Sequence, residues 1–381
     1  MTSPSATSTT RSRAWGRSPA APSLLIACLA RPERLAELDA ADWDRLLPQA
    51  REAQMLATLW EVLEERDATQ APPAAVRRHL WGAWLVARRR ATAMRWELRC
   101  LAQEVPTLDG ALPVLLKGVA YIVRELPRAR SRLCGDIDLL VPRNELDHVE
   151  RMLYWTGWAQ AELDPYDERY YRDWMHQLPP FQHRRRRSTL DLHHNIVPET
   201  VRHPPDPDRL IARAQALPDE PAFATPAPAH MVIHSAAHLF ADSEWDKAVR
   251  DFHDIDQLLR TFAARDGDDF WDELVSEAGA LHCGRDVFYA LRCCQRWFGT
   301  PVPPEVLERL QPCAPAPPMR ALMERVFRHA VAARAAGPAP GRTAFCRGWL
   351  FLRSHWIKMP PLMLVRHLFH KAFLSPREET P

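Results

Sequence analysis

Two aspartates interrupt the apolar run RLCGDIDLLVP, which extends from Arg132 to Pro142. Alternate side chains of a strand share one face, so Asp136 and Asp138 would project together while Ile137 and Leu139 point into a core. Two carboxylates this close repel each other, and a shared proton or a divalent cation relieves the repulsion. The run therefore predicts a buried strand whose polar face binds a cation.

A later strand supplies a third carboxylate. In TLDLHH, Asp191 lies within another alternating apolar pattern, and His193 shares its face. Oxygen ligands at this spacing favour Mg²⁺, with Mn²⁺ as the alternative, and a third carboxylate would complete a two-metal site around an attacked phosphorus. Any one of these aspartates could instead lie at the end of a strand and cap a turn. The three together predict metal-assisted phosphoryl transfer.

The remaining sequence predicts an α+β protein in which helical regions flank a small mixed β-sheet. Apolar residues recur every three and four positions before the aspartate strand and again after it, as in α-helices. Between these regions, PVLLKG is typical of a strand, VAYIVREL of a helix and QLPPFQHRRRRSTLDLHHNIV of a hairpin. The expected units are a disordered N-terminus (1–20), an N-terminal helical region (21–105), a core that holds the sheet (106–203), a C-terminal helical region (204–335) and a basic amphipathic tail (336–381).

The composition narrows the class of protein. A net charge of +2 favours neither a nucleic-acid coat nor a membrane-surface protein. The eight cysteines lack a C-x-x-C spacing, which favours reduced cytoplasmic thiols. SLLIACLARP resembles a lipoprotein processing box at Cys28, but its apolar run is too short for a signal peptide, and no stretch has the roughly 20 apolar residues of a membrane span. We therefore expect a cytoplasmic protein without integral membrane association.

The order of these motifs resembles that of a known family. The chain contains, in order, LLKG, a helix, RLCGDIDLLVP, a helix that ends at Gly157, and LDLH. This order resembles that of the DNA polymerase beta-like nucleotidyltransferase superfamily, and most closely that of the bacterial uncharacterised nucleotidyltransferase family. VIHSAAHLF and VRDFHDIDQLLR resemble that family's histidine-containing helix and its aspartate-containing partner. The resemblance implies transfer of an NMP group from an NTP, with ATP as the expected donor, and release of pyrophosphate. It leaves the acceptor open among a small molecule, a peptide, a protein and an RNA end.

The resemblance also implies roles for the acidic residues. Asp136 and Asp138 match the positions that ligate metal. Asp191 matches the third acidic position, which would ligate metal and help to activate the acceptor hydroxyl.

Three further residues match nucleotide-binding positions. Gly118 lies where the superfamily's glycine-serine pair would hold the triphosphate, although Val119 replaces the serine. Lys117 could contact a phosphate as a point charge, or it could be a surface lysine at a strand end. Arg132 could reach the phosphates or pair with the aspartates.

Two other functions stay open. A degenerate member of the family would bind a nucleotide or a partner without transfer, because Val119 lacks a hydroxyl. A metal phosphohydrolase of the His-Asp type would use His234, His253 and Asp254. The sequence contains no Gly-rich phosphate loop, no G-x-S-x-G and no H-E-x-x-H, so the common NTPase, hydrolase and zincin classes lack support.

The histidine-rich helix has a structural interpretation as well. His230, His234 and His238 recur every four residues on one helix face, where packed and hydrogen-bonded imidazoles are expected. FHDIDQLLR repeats the letters of the aspartate motif, but its apolar spacing is helical. Asp254 and Asp256 are therefore expected to point away from each other.

Two basic segments complete the predictions. Arg184–Arg187 form the turn of the predicted hairpin, where solvated arginines are favoured over a phosphate contact. The segment GWLFLRSHWIKMPPLMLVRHLFHKAFL predicts a helix bent at Pro360 and Pro361. Its basic and aromatic residues would suit an anionic membrane, but packing against the N-terminal helices is the favoured interpretation.

Overall fold

The computed structural model describes residues 22–161, 164–241, 245–332 and 341–366, and it has the α+β architecture that the sequence predicts. The predicted disordered N-terminus, 1–20, and residues 367–381 of the predicted tail lie outside the described residues. The strands are β1 (Val114–Leu116), β2 (Asp136–Leu140), β3 (Trp158–Gln160), β4 (Phe181–His183), β5 (Thr189–His193), β6 (Gln215–Ala216) and β7 (Ala224–Thr225).

Helices precede, interrupt and follow the sheet. The α-helices are α1 (Leu24–Ala30), α2 (Ala40–Glu52), α3 (Leu56–Glu64), α4 (Ala74–Leu101), α5 (Lys117–Val123), α6 (Leu146–Thr156), α7 (Pro165–Arg169), α8 (Pro207–Ala212), α9 (Pro228–Ala241), α10 (Ala248–Asp266), α11 (Asp268–Ala280), α12 (Gly284–Phe298), α13 (Pro304–Arg309), α14 (Pro317–Ala330) and α15 (Gly341–Lys358). Short 3₁₀ turns lie at Pro32–Glu37, Arg143–Glu145 and Gln311–Cys313, and a π turn lies at Tyr170–Trp174.

The sheet is mixed, as predicted, and its strand order is β3-β4-β5-β2-β1-β7-β6. The central strands β2 and β5 run parallel, with Asp138 opposite Asp191 and Ile137 opposite Leu190. Ile137 and Leu190 are fully buried. The alternation in the two sequences thus places apolar side chains in the core and acidic side chains on the opposite face.

The chain turns sharply between β1 and α5. Lys117, the first residue of α5, has a φ of +48°, a left-handed conformation that is uncommon for a residue with a side chain. Helix α5 then packs on β2 and contacts α4 and α9. A second sharp turn follows α6, where Gly157 at a φ of +103° ends the helix as its glycine predicts.

Two strands lie beyond the predicted end of the core at residue 203. Ala224 of β7 pairs in parallel with Val114 of β1, and β6 pairs with β7 at the edge of the sheet. Each of these strands has only two residues. Alternation cannot be seen over two residues, so the sequence shows only a Pro-rich connector there.

Helix α1 is part of the core. Leu25, Ile26 and Cys28 are fully buried, the Gln49 side chain accepts a hydrogen bond from the Leu25 backbone, and α1 packs against α12. The segment that resembles a processing box is therefore a structural helix. None of the described helices combines the length and apolar character needed to cross a bilayer.

The C-terminal segment differs from the favoured interpretation. Helix α15 ends before Pro360, as predicted, and residues 361–366 are helical again. However, α15 packs on α14 and α9, and it also reaches the N-terminal helices through an ion pair between Arg347 and Glu52. Its buried positions, such as Cys346 and Leu350, face α14 and α9 because these helices supply the nearest apolar surface.

Candidate active site

Three side chains with metal-binding atoms meet on the polar face of β2 and β5. Asp138 and Asp191 are opposite residues of the parallel pair, and His193 follows Asp191 on the same face. One ligand atom from each residue lies within 4.8 Å of the others. Asp136 lies at the start of β2, where it is exposed and lines a cleft.

Asp138 is the most constrained of the acidic residues. Its Oδ1 accepts hydrogen bonds from Lys117 Nζ at 2.7 Å and from His193 Nε2 at 3.0 Å. Burial alone would raise the pKa of Asp138, but the Lys117 ammonium and the His193 imidazole outweigh it and hold the pKa well below its usual range. Asp138 is therefore ionised, and its Oδ2 is left for a ligand.

Lys117 is held in its charged form by the same groups. Burial would lower the pKa of its ammonium, but Asp138, then Asp191 and Asp136, raise it above the ordinary value. The left-handed backbone at Lys117 directs the side chain from the end of β1 to Asp138. Lys117 is thus an ion-pair partner of Asp138 and not a solvated lysine.

Asp191 lies behind Asp138 and is not among the described residues that line the cleft. Burial, and then the neighbouring charge of Asp138, raises the pKa of Asp191 to about 6. Its Oδ1 is buried without a hydrogen-bond partner among the described residues. A buried carboxylate oxygen without a donor is costly, and a bound cation would compensate it.

The imidazoles beside Asp191 are also incompletely bonded. His176 and His193 have ring centroids 5.3 Å apart, and their Nδ1 atoms lack a partner within the described part of the chain. Burial lowers the pKa of His176 well below its usual range, and the charge of His193 adds to that effect. A neutral imidazole with a free nitrogen can ligate a metal or accept a hydrogen bond.

The cleft in front of Asp136 and Asp138 has a volume of about 350 Å³. Helices α4, α9 and α10 and the residues just before α10 supply its other walls. Arg90, Lys247 and Arg250 line it with positive charge and were not identified from the sequence. Its rarity in the sequence could have marked Lys247 as a candidate site residue, because it is one of only four lysines in an arginine-rich chain.

Arg132 and Gly118 form a second feature of the cleft. Arg132 donates to Asp254 Oδ2 at 2.6 Å, so it pairs with an aspartate of α10 and not with Asp136 or Asp138. The space at Gly118 is filled by this arginine, since a Cβ there would lie 2.3 Å from Arg132 Nη1.

The repeated aspartate motif behaves as its helical spacing predicts. Asp254 faces the cleft, whereas Asp256 is buried and accepts from Thr300 at 2.6 Å and from Arg260 at 2.8 Å. The two aspartates therefore point to different sides of α10. The sequence did not indicate that Asp254 enters the cleft.

The histidines of α9 occupy different environments. His230 bonds to Glu277 at 2.9 Å, and His238 lines the cleft. The rings of His234 and His238 are 6.3 Å apart. Burial, followed by the charge of Lys117, lowers the pKa of His234 to about 3.

The phosphohydrolase set is not assembled. His253 is buried against Phe298, with ring centroids 6.1 Å apart, and Asp254 is paired with Arg132. Among the residues that the structure describes, the group of three potential ligands that comes together is Asp138, Asp191 and His193. The geometry thus gives no support to a site built from His234, His253 and Asp254.

The arginine turn serves mainly to attach the hairpin to α4. Arg186 pairs with Glu97 and Glu104, both at 2.7 Å. Arg184, Arg185 and Arg187 are exposed.

Comparison with known proteins identifies a family. The model of a family described as "Uncharacterised nucleotidyltransferase" matches residues 39–299, which is more than half of the chain and includes β1 to β7. No curated protein and no solved structure matches.

Proposed function

Because the chain belongs to the family of uncharacterised nucleotidyltransferases, we propose that it is a metal-dependent enzyme that transfers an NMP group from an NTP to an acceptor. ATP is the expected donor, a hydroxyl or a phosphate is the acceptor group, and pyrophosphate is the leaving group. The observation that carries the proposal is the side-by-side register of Asp138 and Asp191, with the ligand atoms of both and of His193 within 4.8 Å.

The residues present fit a divalent cation. Asp191 Oδ1 is buried without a partner in the described part of the chain, and Asp138 Oδ2 is left open by the two bonds to Oδ1. Carboxylate ligands suit Mg²⁺, and the imidazole of His193 makes Mn²⁺ equally suitable. Such a cation, when bound, stabilises the charge that develops on a transferred phosphoryl group.

The protein's own residues have separate tasks in this proposal. Asp138 and Asp191 would hold the cation, with Asp136 at the mouth of the cleft as a further ligand. Lys247 and Arg90 line the same cleft and would attract the phosphates of the donor. Within the described residues neither of these two cations has an ion-pair partner, whereas Arg132 is neutralised by Asp254. Asp191 would ligate the same cation and help to position the acceptor group beside it.

The test is the thermal midpoint of the purified protein with each of the four NTPs, with and without Mg²⁺ or Mn²⁺. Ligand at about 100 times its dissociation constant stabilises the folded state by about 2.7 kcal/mol. We expect a cation-dependent increase with ATP that is absent in Asp138→Asn and retained in Asp269→Asn, an exposed aspartate on α11. Equal increases in both variants would disprove the assigned site.

A binding protein without transfer is the second candidate. Two observations favour it: Val119 is fully buried where the superfamily has a serine, and Lys117 already neutralises Asp138. The distinguishing assay is pyrophosphate release from ATP in the presence of fractionated cell metabolites, peptides and RNA. Cation-dependent ATP binding without pyrophosphate release from any fraction would support the second candidate over the first.

A further inference from the structure

Helix α15 has an apolar face that none of the described residues covers. Phe345, Trp349, Leu352 and Trp356 are separated by four, three and four residues, so they lie along one side of the helix. Their exposed fractions are 71%, 47%, 59% and 62%. We call these four residues the aromatic stripe.

The stripe is distinct from the face by which α15 packs. Thr343, Cys346, Leu350 and Ser354 form the buried face, which contacts α14 and α9. The helix is also fixed at its end, because the Thr200 hydroxyl donates to the Lys358 carbonyl. The aromatic stripe is therefore exposed even though α15 is packed against the rest of the protein.

The apolar surface continues past the break at Pro360. Leu362 and Val365, in the helical residues 361–366, are 84% and 66% exposed. Monomeric proteins rarely expose a continuous apolar surface of this kind unless something binds to it. The charge of the segment indicates which kind of partner would bind there.

The charge of the segment is entirely positive. Residues 341–366 contain no Asp or Glu. Of their basic residues, Arg347 and Arg353 are bonded to Glu52 and to the Phe240 carbonyl, whereas Arg342 and Arg366 are exposed. Two copies of such a segment would repel each other when their stripes met. An anionic lipid surface instead offers an apolar layer for the stripe and negative headgroups for the basic residues.

We propose that α15 and residues 361–366 form an interfacial segment that binds the surface of an anionic bilayer. The aromatic stripe enters the boundary between headgroups and acyl chains, and the exposed Arg342 and Arg366 contact lipid phosphates. The rest of the protein stays in the aqueous phase, attached to the bilayer through the packing of α15 on α14 and α9.

The test is co-sedimentation of the full chain with vesicles of phosphatidylcholine alone and of phosphatidylcholine with phosphatidylglycerol. We expect binding to the anionic vesicles that weakens as salt is raised. The double variant Trp349→Ser/Trp356→Ser should lose at least about tenfold in partitioning, since it removes two large apolar side chains from the interface. The matched control is Trp155→Ser, because Trp155 is 86% exposed on α6 and should not affect partitioning.

Two results would overturn the proposal. One is the absence of binding to anionic vesicles, or binding that the double variant leaves unchanged. The other is a dimer in light scattering that the double variant converts to monomer, which would assign the stripe to a second copy of the chain. Unchanged thermal midpoints in both variants would show that each is folded.

Discussion

The contact between Gly118 and Arg132 leads to a quantitative prediction for Gly118→Ala. In α5 an alanine would gain about 1 kcal/mol over glycine from helix propensity alone. However, its Cβ would lie 2.3 Å from Arg132 Nη1 and 2.9 Å from Cys134 Sγ. Restoring an ordinary contact requires a movement of about 1 Å, which would break the 2.6 Å bond from Arg132 to Asp254.

The cost follows from the loss of that hydrogen bond. Losing a hydrogen bond between charged groups costs about 1.5–3 kcal/mol, while the two charges stay close enough to attract each other. After the helix-propensity gain, the variant should be less stable by about 1 kcal/mol. The matched control is Gly82→Ala in α4, where a Cβ meets nothing within 4 Å, and it should be more stable by about 0.5–1 kcal/mol.

Urea denaturation followed by far-ultraviolet circular dichroism measures both changes. A second comparison isolates the cause: in an Arg132→Ala background, Gly118→Ala should cost less, because only the contact with Cys134 remains. If Gly118→Ala is as stable as Gly82→Ala, the close packing of Arg132 on Gly118 is wrong. The conclusion that this glycine makes room for an arginine would then fail as well.

Three further predictions concern charges. Glu277 is buried and accepts hydrogen bonds from Arg209 and His230. These partners, Arg209 more than His230, lower the pKa of Glu277 to about 2. Glu277→Gln should therefore lower the free energy of unfolding by about 2 kcal/mol in urea denaturation at pH 7. Because the folded-state pKa lies below the unfolded value, this contribution is present above about pH 4.5 and is lost as the pH falls towards 2, so the variant and the parent should converge in acid. Lys247→Ala should weaken ATP binding about tenfold by calorimetry, and an unchanged affinity would remove Lys247 from the phosphate contacts. Arg186→Ala removes the ion pairs to Glu97 of α4 and to Glu104 just after α4, which would keep only neutral hydrogen-bond donors, and it should lower stability by about 3 kcal/mol. A change under about 0.5 kcal/mol would mean that the hairpin does not depend on this attachment.

The sequence predicts the centre of the sheet well because the pattern is long enough there. β2 and β5 each have five residues, with apolar side chains on one face and Asp138, Asp191 and His193 on the other. The same rule fails for β6 and β7, which have two residues each. Two residues cannot show a period.

The walls of the cleft are harder to predict because they come from distant helices. Arg90 and Lys247 are more than 150 positions apart in the sequence, and helical periodicity shows which face of a helix is apolar but not what the polar face meets. The pairing of Lys117 with Asp138 is equally invisible, since it depends on a left-handed residue that is not glycine. The sequence predicts Asp191 beside Asp138, but not that Asp191 is left out of the lining of the cleft, since strand periodicity shows which face a side chain is on and not what covers it.

The packing of α1 against α12 also has a consequence for biosynthesis. Helix α1 can contact α2 soon after it is synthesised, but its contacts with α12 form only after residues 284–298 have left the ribosome. At about 5–20 residues per second, α1 must wait roughly 10–50 s for its partner during translation. During that interval the apolar residues of α1 that pack on α12 lack this partner, and such exposed hydrophobic segments are what chaperones bind. Replacing Ile26 by a polar residue would therefore be expected to change chaperone association during synthesis as well as the stability of the finished protein.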